Sequence, residues 1–226
     1  MDWFPFYNSI RIAALSTLAV FFLGLLAAQR VSKAPRMARG ILDAVLSLPL
    51  VLPPTALGWL ILRFLGPKHP IGYGFQAIFG VGLVMNFGSA VLAASLAAFP
   101  FLYRLARRAF DRFDGDLADA ARTLGRSNAW TFWVVQVPAC APEILAGTAL
   151  AFARAFGEYG ATAMAAGYLP GRTATVPAAL FEAWSANDSA LAWVLISLAV
   201  SGVFLLAVGL LENREIRHPG RGGGRP

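Results

Sequence analysis

The sequence predicts an all-α membrane protein, a bundle of about five transmembrane helices per subunit. Hydrophobic residues make up 58% of the 226 residues and charged residues only 14%, whereas soluble chains carry about 25% charged residues. The charges are also grouped, because uncharged runs long enough to cross a bilayer separate them. In the lipid core each backbone polar group must pair within its own segment, so such runs are expected to be helices.

Five apolar segments are interpreted as spans. The runs 12–28, 44–62 and 189–211 contain no charged residue, and the long uncharged stretch after Pro70 places another span behind a Gly/Pro-rich loop. The fourth segment is apolar but carries Glu143, Arg154 and Glu158. We expect a transmembrane domain over 1–213 and a disordered tail over 214–226, with spans at about 9–29, 41–65, 78–104, 140–166 and 189–211.

Positive charge predicts the orientation of the bundle. Fourteen Lys and Arg residues fall after the first span, after the third span or in the tail, and only four fall in the alternate segments. Because cytoplasmic loops collect Lys and Arg, the N-terminus is expected outside and the C-terminus in the cytoplasm. The net charge of +7 is thereby explained as a topology signal, so no nucleic-acid partner is expected. Membrane lipid is expected to surround the chain.

The longest cytoplasmic segment, about 105–138, is expected to hold a short amphipathic helix. Asp116 and Asp119 fall in its first turn, where they complement the helix dipole, and Gly125 suits a left-handed cap at its end. Apolar residues recur at three- and four-residue spacing, which favours docking on a partner or lying on lipid: Leu117, Ala120, Ala121 and Leu124.

This segment resembles the signature loop of ABC importer permeases. The family pattern is Glu-Ala-Ala, three residues, Gly, nine residues, then Ile-x-Leu-Pro. Here Asp119 replaces Glu, and Val135 and Val137 replace Ile and Leu, at unchanged spacing. In the family this helix docks on the ATPase subunit, so the resemblance implies ATPase-coupling roles for Asp119, Ala120, Ala121, Leu124, Gly125 and Pro138.

The sequence contains no Gly-x-x-x-x-Gly-Lys-Ser/Thr run, the loop that commonly cradles nucleotide phosphates. The chain is therefore expected to bind no cofactor itself and not to be an enzyme. In an ATP-driven machine, ATP and Mg would be used by a separate ABC ATPase subunit.

Two further stretches resemble the molybdate permeases of bacterial and archaeal cytoplasmic membranes. They are 48–54, rich in proline, and 154–177, which contains Gly-Glu-Tyr-Gly-Ala-Thr and Pro-Gly-Arg-Thr-Ala-Thr. One departure is Tyr168, where the family has Asn. The resemblance implies a homodimer, partner ATPase subunits and an extracytoplasmic oxyanion-binding protein. Tungstate or sulfate are the alternative substrates, and an integral membrane enzyme or an ATP-independent channel are alternatives of a different class.

Some residues in these stretches are candidates for the translocation pathway. Pro49, Pro53 and Pro54 each remove an amide donor, so the second span is expected to be discontinuous, either along the path or as a packing kink. Arg154 and Glu158 share one helix face, as a structural ion pair or as an anion contact. Hydroxyl and amide groups are also candidates: Ser47, Thr55, Asn86, Ser89 and Thr162.

Overall fold

The computed structural model describes residues 2–187 and 189–217, and the regular secondary structure of this part is entirely helical. The first half of the chain forms five helices: α1 (Phe4–Ser32), α2 (Arg36–Val51), α3 (Pro54–Leu65), α4 (Pro70–Phe79) and α5 (Phe87–Arg112). The second half forms α6 (Gly115–Thr123), α7 (Asn128–Thr131), a π-helical turn (Phe132–Gln136), α8 (Val137–Ala139), α9 (Ala141–Phe156), α10 (Gly160–Ala165), α11 (Val176–Ser185) and α12 (Leu191–Arg217).

Three of these helices are long and apolar enough to cross a membrane by themselves, α1, α5 and the 191–210 part of α12. Two sharply bent pairs qualify when each is taken as one unit: α2 with α3, bent by 108°, and 128–139 with 141–156, bent by 82°. By length and composition the structure therefore has three candidate spans, or up to five if each bent pair is one span, in line with the predicted polytopic helical bundle.

The core is formed by α1, α5 and α9, which pack side by side with small residues at their contacts. Alanines 90, 94, 98 and 106 of α5 are fully buried, and Leu102 and Tyr103 fill the space beside them. Small side chains let helix backbones approach closely, which is how helices associate in lipid. Many large apolar side chains on α2, α4 and α12 stay exposed, as expected of surfaces that face lipid or another subunit.

Several boundaries differ from those expected. The first helix is longer than 9–29, and the third span begins at Phe87 and not near 78, because 78–86 ends α4 and then lacks regular structure. Asn86 caps α5 through a reciprocal pair of hydrogen bonds with Ser89, and this capping box fixes the start.

The expected fourth span, 140–166, is not one helix. It is divided at Gly157–Tyr159 into α9 and α10, and the chain bends sharply before it at Cys140. At the other end of the chain, α12 continues to Arg217, past the expected start of the tail at 214, and residues 218–226 of that tail lie outside the described part.

Candidate coupling and translocation sites

The predicted amphipathic helix exists as α6, and both of its ends are capped. Asp114 accepts a hydrogen bond from the amide of Asp116 at 3.0 Å. At the other end Gly125 has φ +75°, its amide donates to Arg122 O at 2.9 Å, and the amide of Arg126 donates to Ala121 O at 3.1 Å. These two bonds form a Schellman motif, so Gly125 ends the helix as the sequence predicted.

The two faces of α6 have different surroundings. Ala118 and Ala121 are buried against the bundle, whereas Leu117 is 51% exposed and Leu124 is 80% exposed. The sequence had placed Ala121 on the same stripe as Leu117 and Leu124, so the structure divides that stripe. What remains exposed is an apolar face of α6, formed by Leu117, Ala120 and Leu124, that no other part of the described chain covers.

A cleft of about 380 Å³ lies beside α6, where the last turns of α1 and α5 meet the start of α2. Its lining includes Lys33, Arg39, Asp111 and Arg122. The basic segments 30–39 and 104–126, which are far apart in sequence, therefore lie together, and we call this the basic end of the bundle. Pro138 is exposed on α8, two residues before the bend at Cys140.

The proline-rich stretch produces a break between α2 and α3. Leu52 is extended, with ψ 138°, Pro53 precedes the first turn of α3 and Pro54 is its first residue. A residue that precedes proline is pushed out of the helical region, which explains the position of the break. Pro49 lies inside α2 and does not end it. The expected discontinuity of the second span is confirmed, and it results from Pro53 and Pro54.

The second break, at Gly157–Tyr159, lies against the first. A Cβ built on Gly160 would stand 2.7 Å from Pro54 Cβ and 3.2 Å from the Thr55 amide nitrogen. The short helices α3 and α10 that follow the two breaks therefore pack backbone to backbone. Both α2 and α9 have 16 residues, so each break lies roughly 24 Å along its helix.

Glu158 lies in the second break, and its side chain is only 1% exposed. Its Oε1 accepts the amide hydrogen of Ala161 at 2.7 Å, and its Oε2 lies 2.5 Å from Arg154 Nη1. Thr162 is buried, and its hydroxyl donates to the carbonyl oxygens of Glu158 and Tyr159. The structure thus brings Arg154, Glu158 and Thr162 together, and their contacts with one another stabilise the start of α10.

The remaining candidate polar residues divide into two groups. Asn86 and Ser89 are occupied by the cap of α5, since the Asn86 side chain accepts from Ser89 N at 2.9 Å and donates to Gly82 O. Thr55 is exposed beside the first break, and Ser47 lines a second cleft, on α2. Of the five hydroxyl and amide candidates, Ser47 and Thr55 are therefore the accessible ones.

The end of the bundle opposite α6 carries the Pro-Gly-Arg-Thr-Ala-Thr loop. Thr173 Oγ1 accepts from the Leu169 amide and donates to Gly167 O, which closes the loop on itself. The Asn8 amide donates to Ala174 O at 2.9 Å and joins the loop to α1. Burial, with the carboxylates of Glu182 and Asp2 nearby, raises the pKa of the Tyr168 hydroxyl. Arg172 is exposed on this loop.

A charged cluster that the sequence did not predict lies between α2 and α5. Arg107 is 5% exposed and contacts the carboxylates of Asp43 and Asp111, and the Tyr103 hydroxyl donates to Asp43. The four-residue spacing of 103, 107 and 111 indicates one face of α5. Asp43, however, is 60 residues before Tyr103, and only the fold brings the two together.

Comparison with known proteins gives three findings. A family model described as the binding-protein-dependent transport system inner membrane component matches residues 20–217. A putative molybdenum transport system permease of Bacillus subtilis is 36% identical over 210 residues, 93% of this chain and 92% of the relative. The molybdenum transport system permease ModB of Escherichia coli K12 is 34% identical over 223 residues, 97% of each chain.

A solved structure has the same fold. It is a bacterial alginate ABC transporter in complex with a periplasmic protein that holds an alginate pentasaccharide. The alignment has a TM-score of 0.66 and 15% identity, and it covers 93% of this chain and 77% of that one. At this identity the likeness concerns the arrangement of the helices alone.

Proposed function

The chain belongs to the family of binding-protein-dependent transport system inner membrane components, and we propose that it is the permease subunit of an ATP-driven importer for molybdate. The observation that carries this proposal is α6. It combines the Asp-Ala-Ala spacing, a Schellman end at Gly125 and an uncovered apolar face at the basic end of the bundle. An ABC ATPase subunit is the partner proposed for that face, and it would supply the ATP and Mg chemistry.

The orientation that we propose places α6 and the basic end in the cytoplasm and the N-terminus outside. The Lys and Arg residues of 30–39 and 104–126 lie together at one end, which the positive-inside rule assigns to the cytoplasm. The Pro-Gly-Arg-Thr-Ala-Thr loop would then face outward, where an oxyanion-binding protein could dock. Arg172 is exposed there and carries the opposite charge to a molybdate anion.

A homodimer is proposed because, in a single copy, α2 and the first helix break lie on the surface. In the described chain α2 has no buried residue, and Pro53, Pro54 and Thr55 are exposed at the first break. Broken backbone at membrane depth is tolerated only against protein or a water-filled path. Two copies facing each other across these breaks would enclose such a path, and alternating access would follow from rigid-body movement of the two bundles.

Molybdate is favoured over tungstate and sulfate by the two relatives named for molybdenum transport and by the motifs of 154–177. The direct test reconstitutes the chain with its ATPase in liposomes and adds binding protein loaded with molybdate, tungstate or sulfate. We expect molybdate-loaded protein to give the largest rise in ATP hydrolysis and in anion uptake. A larger response to sulfate would reassign the substrate, and uptake without any ATPase subunit would overturn the importer proposal.

A further inference from the structure

We propose that Arg107 is a positioning residue of the transport cycle, which, through Asp43, makes α2 move as one body with α5. The inference rests on the proposed ATP-driven transport function. It concerns the charged cluster of Asp43, Tyr103, Arg107 and Asp111, which lies outside both the α6 motif and the two helix breaks.

The attachment of α2 to the bundle depends on polar contacts to an unusual degree. None of its 16 residues is buried, in contrast to α1, α5 and α9, whose apolar faces form the core. Its principal packing partner is α5. Its apolar packing on the bundle is confined to partly buried side chains such as Leu46, so the contacts of Asp43 with α5 carry much of the attachment.

On α5, the cluster forms a row along one face. Tyr103 and Arg107 are 1% and 5% exposed, although both carry polar groups, and Asp111 follows one turn later. Arg107 lies between the two carboxylates, with its Nε 3.5 Å from Asp43 Oδ1 and its Nη1 against Asp111. A buried guanidinium needs such partners, because an uncompensated buried charge is strongly destabilising. The side chain of Arg107, a residue of α5, is thus held in position by Asp111 on the same helix and contacts α2 through Asp43.

The cluster also reaches the cleft beside α6. Asp111 lines that cleft, and its Oδ1 lies 3.9 Å from Nη1 of Arg39 on α2. The Nη2 of Arg39 in turn donates a hydrogen bond to Ser32 O at the end of α1. A displacement of the elements around α6 would therefore be passed to both α2 and α5 through these charged groups. Contiguous polar networks of this kind can carry coupling between distant sites.

The far end of α2 leads into the candidate pathway. After the bend at Leu52, α3 packs against α10, whose start is stabilised by Glu158. If α2 is rigidly joined to α5, movement at the basic end is transmitted to the paired breaks. If the connection between α2 and α5 is loosened, the ATPase can still hydrolyse ATP, but the two helix breaks no longer move with the basic end.

The test uses the complete transporter in liposomes and measures the number of anions taken up per ATP hydrolysed. Two variants loosen the joint: Asp43→Asn removes one charge at constant size, and Arg107→Lys keeps the charge but replaces a planar fork by a compact ammonium group. Arg108→Gln is the matched control, because it removes one exposed positive charge at the next position of α5. We expect the uptake-to-hydrolysis ratio to fall about fivefold or more in the first two variants, the low end of typical coupling between sites.

A merely structural role would give a different pattern, with less complex recovered and lower thermal stability but an unchanged ratio in the surviving protein. That result in both Asp43→Asn and Arg107→Lys would overturn the proposal. The exchanged pair, Asp43→Arg with Arg107→Asp, provides a second measurement if a single variant does not assemble. Recovery of the ratio supports the proposal, and an assembled but uncoupled double variant contradicts it. Absence of ATP-dependent uptake in the unmodified transporter would instead refute the proposed function, and this inference with it.

Discussion

The Cα of Gly160 lies so close to Pro54 that an added Cβ would stand 2.7 Å from the proline Cβ. This contact joins the two places where helices of the bundle are interrupted. One break follows from prolines and the other contains a buried glutamate, and the two short helices that leave them, α3 and α10, pack on each other. We regard this junction as the structural centre of the candidate pathway.

Substitution of Gly160 is expected to disturb this junction. Gly160→Val places a branched side chain against Pro54 backbone and side chain, and forcing extra atoms into a packed site typically costs about 1–3 kcal/mol. The melting temperature of the purified chain in detergent should fall accordingly. Gly157→Ala is the control, since its Cβ would meet Ala153 O at an ordinary 3.6 Å. Equal stability of the two variants would show that the contact is not tight.

The first break could be read from the sequence, because a proline pair acts locally through the residue before it. The second break could not be predicted in this way, because Gly157–Tyr159 contains no proline and the apolar run around it suggests one continuous span. The division is evident only in the structure, where Gly160 packs against Pro54, a residue 106 positions earlier.

The Arg154–Glu158 pair gives a prediction about stability. Glu158 is 1% exposed and Arg154 27% exposed, so Arg154→Gln leaves a buried carboxylate unpaired, and breaking a buried pair in this way costs about 3–5 kcal/mol. Glu158→Gln should cost less, because the arginine left behind can reach water. The double variant should be more stable than the sum of the single losses predicts. Thermal unfolding of the three variants measures this, and additive losses would argue against a coupled pair.

The orientation can be tested with single cysteines. The native Cys140 is buried and can be replaced by Ala, after which Arg172→Cys and Arg36→Cys place thiols on exposed positions at opposite ends, the latter away from the face of α6 proposed to bind the ATPase. A membrane-impermeant maleimide added to intact cells should label position 172 and should label position 36 only after permeabilisation. The reverse pattern would invert the proposed topology.

At the basic end, features that depend on residues close in sequence could be predicted, and features that depend on contacts between distant segments could not. The α6 helix and its glycine end are local features, and the structure has them at the expected positions. Its first turn, however, contains only Asp116, because the helix begins at Gly115, and Asp119 lies further along and pairs with Arg122. The split of its apolar stripe depends on which face of α6 packs on α7 and the π-helical turn, and the cluster of Asp43 with Arg107 depends on which face of α2 meets α5. Spacing within one segment carries no information about either contact.

Gly125 is expected to be needed for the form of α6. At φ +75° a β-branched residue is strained, with a cost of about 1–2 kcal/mol for a left-handed conformation. Gly125→Val should therefore disturb the end of α6 and reduce the amount of ATPase that co-purifies from membranes. Gly115→Ala, at a position with open space and no positive φ, should retain the ATPase. Equal recovery from both variants would remove Gly125 from the coupling region.

If a separate ATPase subunit drives transport, the exposed apolar face of α6 is the surface that meets it. The most direct measurement places a photo-cross-linking amino acid at Leu124, with Leu205 on the exposed surface of α12 as the control position. In the assembled transporter we predict an adduct between position 124 and the ATPase subunit and none from position 205. An active, fully assembled transporter that gives no adduct from position 124 would contradict the account.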